Sequence, residues 1–376
     1  MPGLLSDIDP DGLLEFSVVF TDRSVNHMSE QFQAVMTEIS ATLKRVYNAA
    51  AVAVVPGGGT YGMEAVARQF ATGQKCLVVR NGFFSYRWTQ ILEAGAVASE
   101  HIVLKAARTD DAANAPFAPR DVNEVCERIR SERPQVVFAP HVETSAGIIL
   151  PDDYISAVAN ATHEVGGLFV LDCIASGALW VDMQATGVDI LISAPQKGWS
   201  ASPCSALVML SDRARSAIEG TSSTSFAADL KKWLQIMEAY ENGGHAYHAT
   251  MPTDALIKFR DAMRESEALG FEKLRQQQIE LGTQVRKLLN DRGIQSVAAE
   301  GFQAPGVVVS YTSDVNVQTG KAFAEVGLQI AAGVPLQCDE GDDFQSFRLG
   351  LFGLEKLNNV DRTVETLAQA LDKVYQ

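Results

Sequence analysis

Seven short apolar runs, rich in β-branched residues, recur along the chain: VAVV (52–55), CLVV (76–79), HIVL (101–104), VVFA (136–139), LFVLD (168–172), DILIS (189–193) and ALVML (206–210). Most are separated by segments with helical spacing of apolar residues. Alternation of this kind predicts a mainly parallel sheet covered by helices on both faces. Ligands of such sheets bind beyond the carboxyl ends of the strands. The polar clusters of this sequence fall there: PGGGT after the first run, RNGFFSYRW after the second, PHVETSAG after the fourth, CIASGA after the fifth and APQKGWS after the sixth.

The alternation has borders. Phe32, Val35, Met36, Ile39, Leu43 and Val46 recur at helical spacing and predict a helix ahead of the first strand. After Asp254 the stretch DALIKFRDAMRESEALGFEKLRQQQIELGTQVRKLLNDRG reads as one or two long amphipathic helices. The strands GVVVSY and SFRLGLF and a last helix, VDRTVETLAQALDKVY, follow. The expected organisation is a short N-terminal arm (1–27), a large domain (28–264) and a smaller α+β domain (265–376).

Charge and cysteine content narrow the function. A formal net charge of −15 disfavours nucleic acid and anionic membranes as partners. It says nothing about a small anion in a local pocket. The five cysteines are scattered, without CxxC or Cys/His metal spacing, and suit reduced thiols in a cytoplasmic protein. The stretch MPGLLSDIDPDGLLEF carries acids instead of a basic start and an apolar core, so it does not read as a signal peptide. No apolar run approaches the ~20 residues that span a bilayer.

The glycines Gly57, Gly59 and Gly62 spell GxGxxG between a strand and a helix. A nicotinamide site also needs an acid at the end of the next strand for the ribose hydroxyls. Here that strand ends in Val79-Arg80-Asn81. What survives is simpler: Gly59 and Thr60 start a helix whose N-terminus favours an anion such as a phosphate. A tight strand-to-helix turn with no ligand explains the same residues.

Asp172 ends a run so apolar that its carboxylate needs a partner, and Lys197 follows the next buried strand. Alone, the acid reads as a helix cap and the lysine as a snorkelling surface residue. Together with the phosphate turn they form the set that pyridoxal phosphate requires: an amine for the Schiff base, an acid for the pyridine nitrogen and a phosphate cradle.

At these residues the chain resembles the class V, fold type I pyridoxal-phosphate aminotransferases, and within them the alanine–glyoxylate / serine–pyruvate branch. The resemblance runs from about Met28 to Gly353. It is carried best by LFVLDCIASGALWVDMQATGVDILISAPQKGWSASP. It implies a mainly parallel seven-stranded sheet in the large domain, and transfer of an amino group from a small amino acid to a 2-oxo acid by a ping-pong mechanism. By this resemblance Lys197 carries the Schiff base and shuttles the proton, and Asp172 pairs with the pyridine nitrogen. Phe84 stands where the branch often has a tryptophan stacked on the cofactor ring, and Ile174 packs the opposite face. Thr144 lies near the phenolic oxygen. Gln196, Gly59 and Thr60 contact the phosphate. Tyr247 and Thr250, in GHAYHATMP, reach the phosphate of a partner subunit in a homodimer. Arg348 grips the substrate carboxylate.

Two departures and three rivals accompany that reading. The start, LLEFSVVFTDRSVNHMSEQF, lacks the family's Gly-Pro-Gly-type segment, so the arm is short or rebuilt. Phenylalanine at position 84 lacks the indole. A class V lyase or cysteine desulfurase is the alternative chemistry, and the latter needs a nucleophilic cysteine on a mobile loop. Cys338, in PLQCDEGDD, sits among acids that raise a thiol pKa, and SAPQKG lacks the histidine desulfurases place before the lysine. The third rival is a non-catalytic cofactor carrier. Arg348 has a plainer reading too, as a surface bridge to Asp342 or Asp343. His141 and His163 read as structural.

Overall fold

A computed structural model describes residues 13–375. The seven runs form the seven strands of one sheet: β1 Ala51–Pro56, β2 Lys75–Arg80, β3 Glu100–Lys105, β4 Val136–Pro140, β5 Leu168–Asp172, β6 Ile190–Ser193 and β7 Ser205–Leu210. Their order is β1-β7-β6-β5-β4-β2-β3. β7 runs antiparallel to both of its neighbours, and the remaining pairs are parallel. The first six strands therefore point their carboxyl ends to one rim. Most of their side chains are fully buried, which suits strands covered on both faces.

Helix α1 (Glu30–Tyr47) begins where the spacing predicts it. Ser29 caps it by accepting from the Phe32 N–H, and Asn48 closes it in a left-handed conformation. Its buried stripe of Phe32, Val35, Met36, Ile39 and Leu43 faces the core. Helix α2 (Gly59–Val66) follows β1 and α3 (Phe83–Ala94) follows β2. Further along come α4 (Leu230–Glu241), α5 (Thr253–Leu269), α6 (Phe271–Asn290) and α7 (Val360–Val374). α1 packs on α4 and α5. The long charged stretch is thus two helices, separated at Gly270.

A second sheet has three antiparallel strands: β8 (Val307–Tyr311), β9 (Ala331–Ala332) and β10 (Ser346–Gly350), with β10 in the centre. One apolar core lies around the large sheet and includes Leu256, Phe259 and Met263 of α5. Another joins α6 and α7 to β8 and β10 through Leu274, Leu281, Val308, Phe347 and Leu371. The three-stranded sheet sits against the rim of the large one, and the space between them is the site.

Candidate active site

Successive strands deliver the chemistry to one cavity of about 410 Å3. β1 leads to Gly59 and Thr60, and β2 to Phe84 and Arg87 on α3. The turn after β4 contributes Thr144, β5 ends in Asp172 and continues to Ile174, and the turn after β6 brings Gln196 and Lys197. Arg348 enters from the opposite side on β10. Asp172 pairs in register with Pro140 on β4 and Ile192 on β6, so it stands at the rim between them. The volume is ordinary for a small-ligand pocket.

Lys197 lies on a turn that fits tightly. Gly198 packs against another backbone segment, and a Cβ added there would fall 2.0 Å from the Gly177 carbonyl oxygen. Nζ lies 5.4 Å from the centre of the Phe352 ring and makes no ion pair among the described residues. Burial lowers its pKa, and the positive charges of Arg348 and Arg87 add to that. Both effects favour the neutral amine and no counter-ion opposes them, which is the direction that makes an amine a better base.

Asp172 shows the opposite shift. Its carboxylate accepts one hydrogen bond, from the Ile174 N–H at 2.9 Å. Burial pushes it up from 3.8 to about 7, although that bond opposes the rise. Glu143 raises it further and Arg87 lowers it. An acid in this state gains from a cationic partner.

Arg348 makes no bridge to Asp342 or Asp343. Its Nε donates to the Ala332 carbonyl at 2.7 Å, and its guanidinium lies 5.4 Å from the Phe84 ring centre. Burial lowers its pKa, with Glu143 opposing. Charge on this guanidinium is therefore available to an anion in the cavity.

These observations test the fit of pyridoxal phosphate. The buried acid without a cation suits a protonated pyridine nitrogen. The depressed lysine suits an aldehyde. Gln196 lines the same cavity as Gly59 and Thr60, which begin α2, and its amide NH2 and the helix N-terminus are donors of the kind a phosphate takes. Ile174 and Phe84 supply apolar surface to the same cavity. The residues fit the group.

Tyr247 and Thr250 do not join this cavity. Both are exposed on the loop before α5, with Tyr247 Oη 3.2 Å from Thr250 Oγ1. The Tyr247 ring packs 5.5 Å from His27. His141 is buried, with Nδ1 2.7 Å from Ser176 Oγ, and His163 Nε2 lies 2.9 Å from Asp189. Of the expected N-terminal arm, residues 1–12 lie outside the described residues.

Two residues escaped the sequence reading. Arg87 hydrogen-bonds Thr60 Oγ1 at 3.0 Å and lies 4.9 Å from the Phe84 ring centre. Its position three after Phe84 on one helix was the available signal. Phe352, below Lys197, had no signal beyond its place in SFRLGLF.

Cys338 is buried away from the cavity, with Sγ 3.5 Å from the Arg80 carbonyl. Burial, followed by Glu143 and Glu340, pushes its thiol up to about 12. A buried thiol so raised is a poor nucleophile. Cys338→Ala is expected to keep the amino-transfer rate within about twofold; loss of that activity, with sulfide released from cysteine by the unaltered chain, would favour the desulfurase alternative.

Known proteins resemble this chain over most of its length. The profile of the family described as aminotransferase class-V matches residues 15–334. The chain is 25% identical over 359 residues to alanine–glyoxylate aminotransferase of Rattus norvegicus, covering 93% of this chain and 82% of that protein. It is 24% identical over 353 residues to a protein of Synechococcus sp. named soluble hydrogenase, small subunit, covering 93% and 86%. The crystal structure of alanine–glyoxylate aminotransferase from Nostoc sp. superposes with a TM-score of 0.78 at 25% identity, covering 94% of this chain and 89% of that one.

Proposed function

The chain belongs to the class-V aminotransferase family, and from that premise we propose that it moves the amino group of a small amino acid, of the alanine or serine type, to a 2-oxo acid of the glyoxylate or pyruvate type. It is a pyridoxal-phosphate-dependent aminotransferase. The observation that carries the site assignment is the opposed shift of two groups in one cavity: a half-buried amine pulled down and a buried carboxyl pushed up.

The bound cofactor supplies an electron sink for the bond that breaks at the substrate α-carbon. The chain's own residues do the rest. Lys197 Nζ takes the proton from the α-carbon and later returns it, as base and then acid. Asp172 would keep a proton on the ring nitrogen by its negative charge. Phe84 and Ile174 would supply apolar surface to the ring and exclude water, and Thr144 would serve the phenolic oxygen. Gln196, Gly59 and Thr60 would hold the phosphate. Arg348 orients the substrate carboxylate through two parallel N–H···O bonds.

Arg348→Lys tests the last role. Lysine keeps the charge and loses the fork, so kcat/KM for the amino donor is expected to fall roughly 10- to 100-fold, which corresponds to one charge-assisted hydrogen bond. Steady-state kinetics with an unchanged kcat/KM would remove Arg348 from the substrate site.

The wider organisation belongs to the same proposal. The chain divides into lobes of 28–264 and 265–376, with the arm 1–27 ahead of them; the two apolar cores support this, since the first takes α5 residues up to Met263 and the second, apart from Ala178, is drawn from Leu274 onward. The protein works as a cytoplasmic homodimer in which Tyr247 and Thr250 reach the partner's phosphate. Their outward position and the exposed Leu13, Leu14, Phe16 and Val18 of the arm support it. Among the described residues no helix is long and apolar enough to cross a membrane. The deciding experiment is a spectral screen: the loaded enzyme is mixed with single amino acids, and the true donor is the one that converts its visible absorbance to the pyridoxamine form. No conversion by any amino acid would leave only the carrier reading.

A further inference from the structure

Helix α3 carries Phe84 and Arg87 into the cavity, yet its start has no local cap. The residue before it is Gly82, which has no side chain to accept from the free N–H groups. The acceptor comes from 61 residues away in sequence, counting from Gly82 to Glu143 (143 − 82). Glu143 is fully buried, and Oε1 accepts from the Phe84 N–H at 3.2 Å, the Ser145 N–H at 3.0 Å and the Ser145 hydroxyl at 2.8 Å. Oε2 accepts from the Ser85 N–H at 2.9 Å and lies 2.7 Å from the Ser85 hydroxyl. The Phe83 N–H donates to Ser145 Oγ at 2.9 Å, which passes the bond on to Glu143.

We propose that Glu143 is a positioning residue of the transamination site: one buried carboxylate locks the start of α3 to the turn that bears Thr144, and so fixes the ring-stacking Phe84 relative to the residue facing the phenolic oxygen. The proposal rests on the roles assigned above to Phe84 and Thr144.

Four features set this apart from an ordinary helix cap. A buried carboxylate without a cation is costly, and Glu143 makes no ion pair among the described residues. A local serine or aspartate cap would serve the helix alone. The close approach is also built in: a Cβ on Gly82 would lie 2.1 Å from Ser145 Oγ and 2.7 Å from Glu143 Cγ. The glycine gives up a cap of its own so that the carboxylate can reach in. Finally, both ends of the clasp are site walls. Phe84 and Thr144 line the cavity on either side of the Glu143 network. The full set of donors also demands a carboxylate. A glutamine has one acceptor oxygen, and its NH2 would face N–H groups.

Glu143→Gln tests this in the cofactor-loaded and cofactor-free protein. The dissociation constant for pyridoxal phosphate is expected to rise tenfold or more. The visible circular-dichroism band per mole of bound cofactor, which reports how the ring is held, is expected to shrink. kcat should fall while KM for the amino donor stays within twofold. A cap that serves the helix alone would lower the melting temperature and leave the band per bound cofactor unchanged, and that result overturns the proposal. If Glu143→Gln does not fold, Ser85→Ala and Ser145→Ala decide. Each removes one hydroxyl from the network and is expected to weaken cofactor binding about threefold; unaltered binding in both overturns it. A chain of natural sequence that develops no visible band with pyridoxal phosphate overturns the site reading itself, and this proposal with it.

Discussion

Lys197→Ala is expected to lose amino transfer by at least about a thousandfold, the scale of a positioned acid–base group. The reason lies in the surroundings of Nζ. Among the described residues it is the one amine on the cavity wall, burial lowers its pKa, and Arg348 and Arg87 lower it further. No neighbouring group can take over its proton. A guanidinium offers no acceptor for a proton, and Asp172 stands at the rim where its charge is needed. The variant should still bind pyridoxal phosphate through Gln196, Gly59, Thr60 and the two apolar faces, so a binding titration separates loss of chemistry from loss of site. An added primary amine of small size should restore part of the rate. Full transaminase activity in Lys197→Ala would sink the scheme.

Asp172→Asn is the second large effect. Asparagine preserves the shape and removes the charge that holds a proton on the ring nitrogen. A fall in kcat of about three powers of ten, or roughly 4 kcal/mol, is expected. A second signature appears in the cofactor-free protein. The folded carboxyl sits at about 7, above its ordinary 3.8, because of burial first and Glu143 after it. The folded chain therefore binds this proton more tightly than the unfolded chain. Its contribution to stability is full below about 3.8 and is lost as pH rises through about 7. The loss is on the order of 4 kcal/mol. Melting curves of the cofactor-free protein should fall across that window, and Asp172→Asn should flatten the fall. Cofactor binding should do the same, since a cation beside Asp172 lets it ionise. Identical pH profiles for the two chains would show that the acid is not buried as described.

Much of this was legible in the sequence because strand ends are local signals. Each β-branched run became a strand of the large sheet within a residue or two, and the polar residue after the run then had only one rim to occupy. Gly59, Thr60, Phe84, Thr144, Asp172, Ile174, Gln196 and Lys197 all reach the cavity in that way, and Arg348 meets them from β10 of the small sheet. What stayed hidden depends on approach across the fold. The reversal of β7 follows from its pairing between β1 and β6, which no residue of ALVML announces. Arg87 gained a role only when α3 placed it beside Thr60. Glu143 read as one letter in HVETSAG, because its partners are 58 residues back, at Ser85. The alternative of a surface bridge for Arg348 failed for a related reason: β10 is a central strand, paired with Ala331 on one side and Val309 on the other, which turns the guanidinium inward.

The reversal of β7 has a further consequence. Because β6 ends and β7 begins at the same rim, the segment from Ala194 to Cys204 leaves the sheet and returns to it between adjacent strands. Lys197 is thus tethered at both ends, with Gly198 pressed on Gly177. A lysine on an open loop would have to be found by its substrate at each turnover. On this closed one it is present at a high effective molarity before any ligand arrives, and the entropy of placing it has been lost during folding instead of during catalysis.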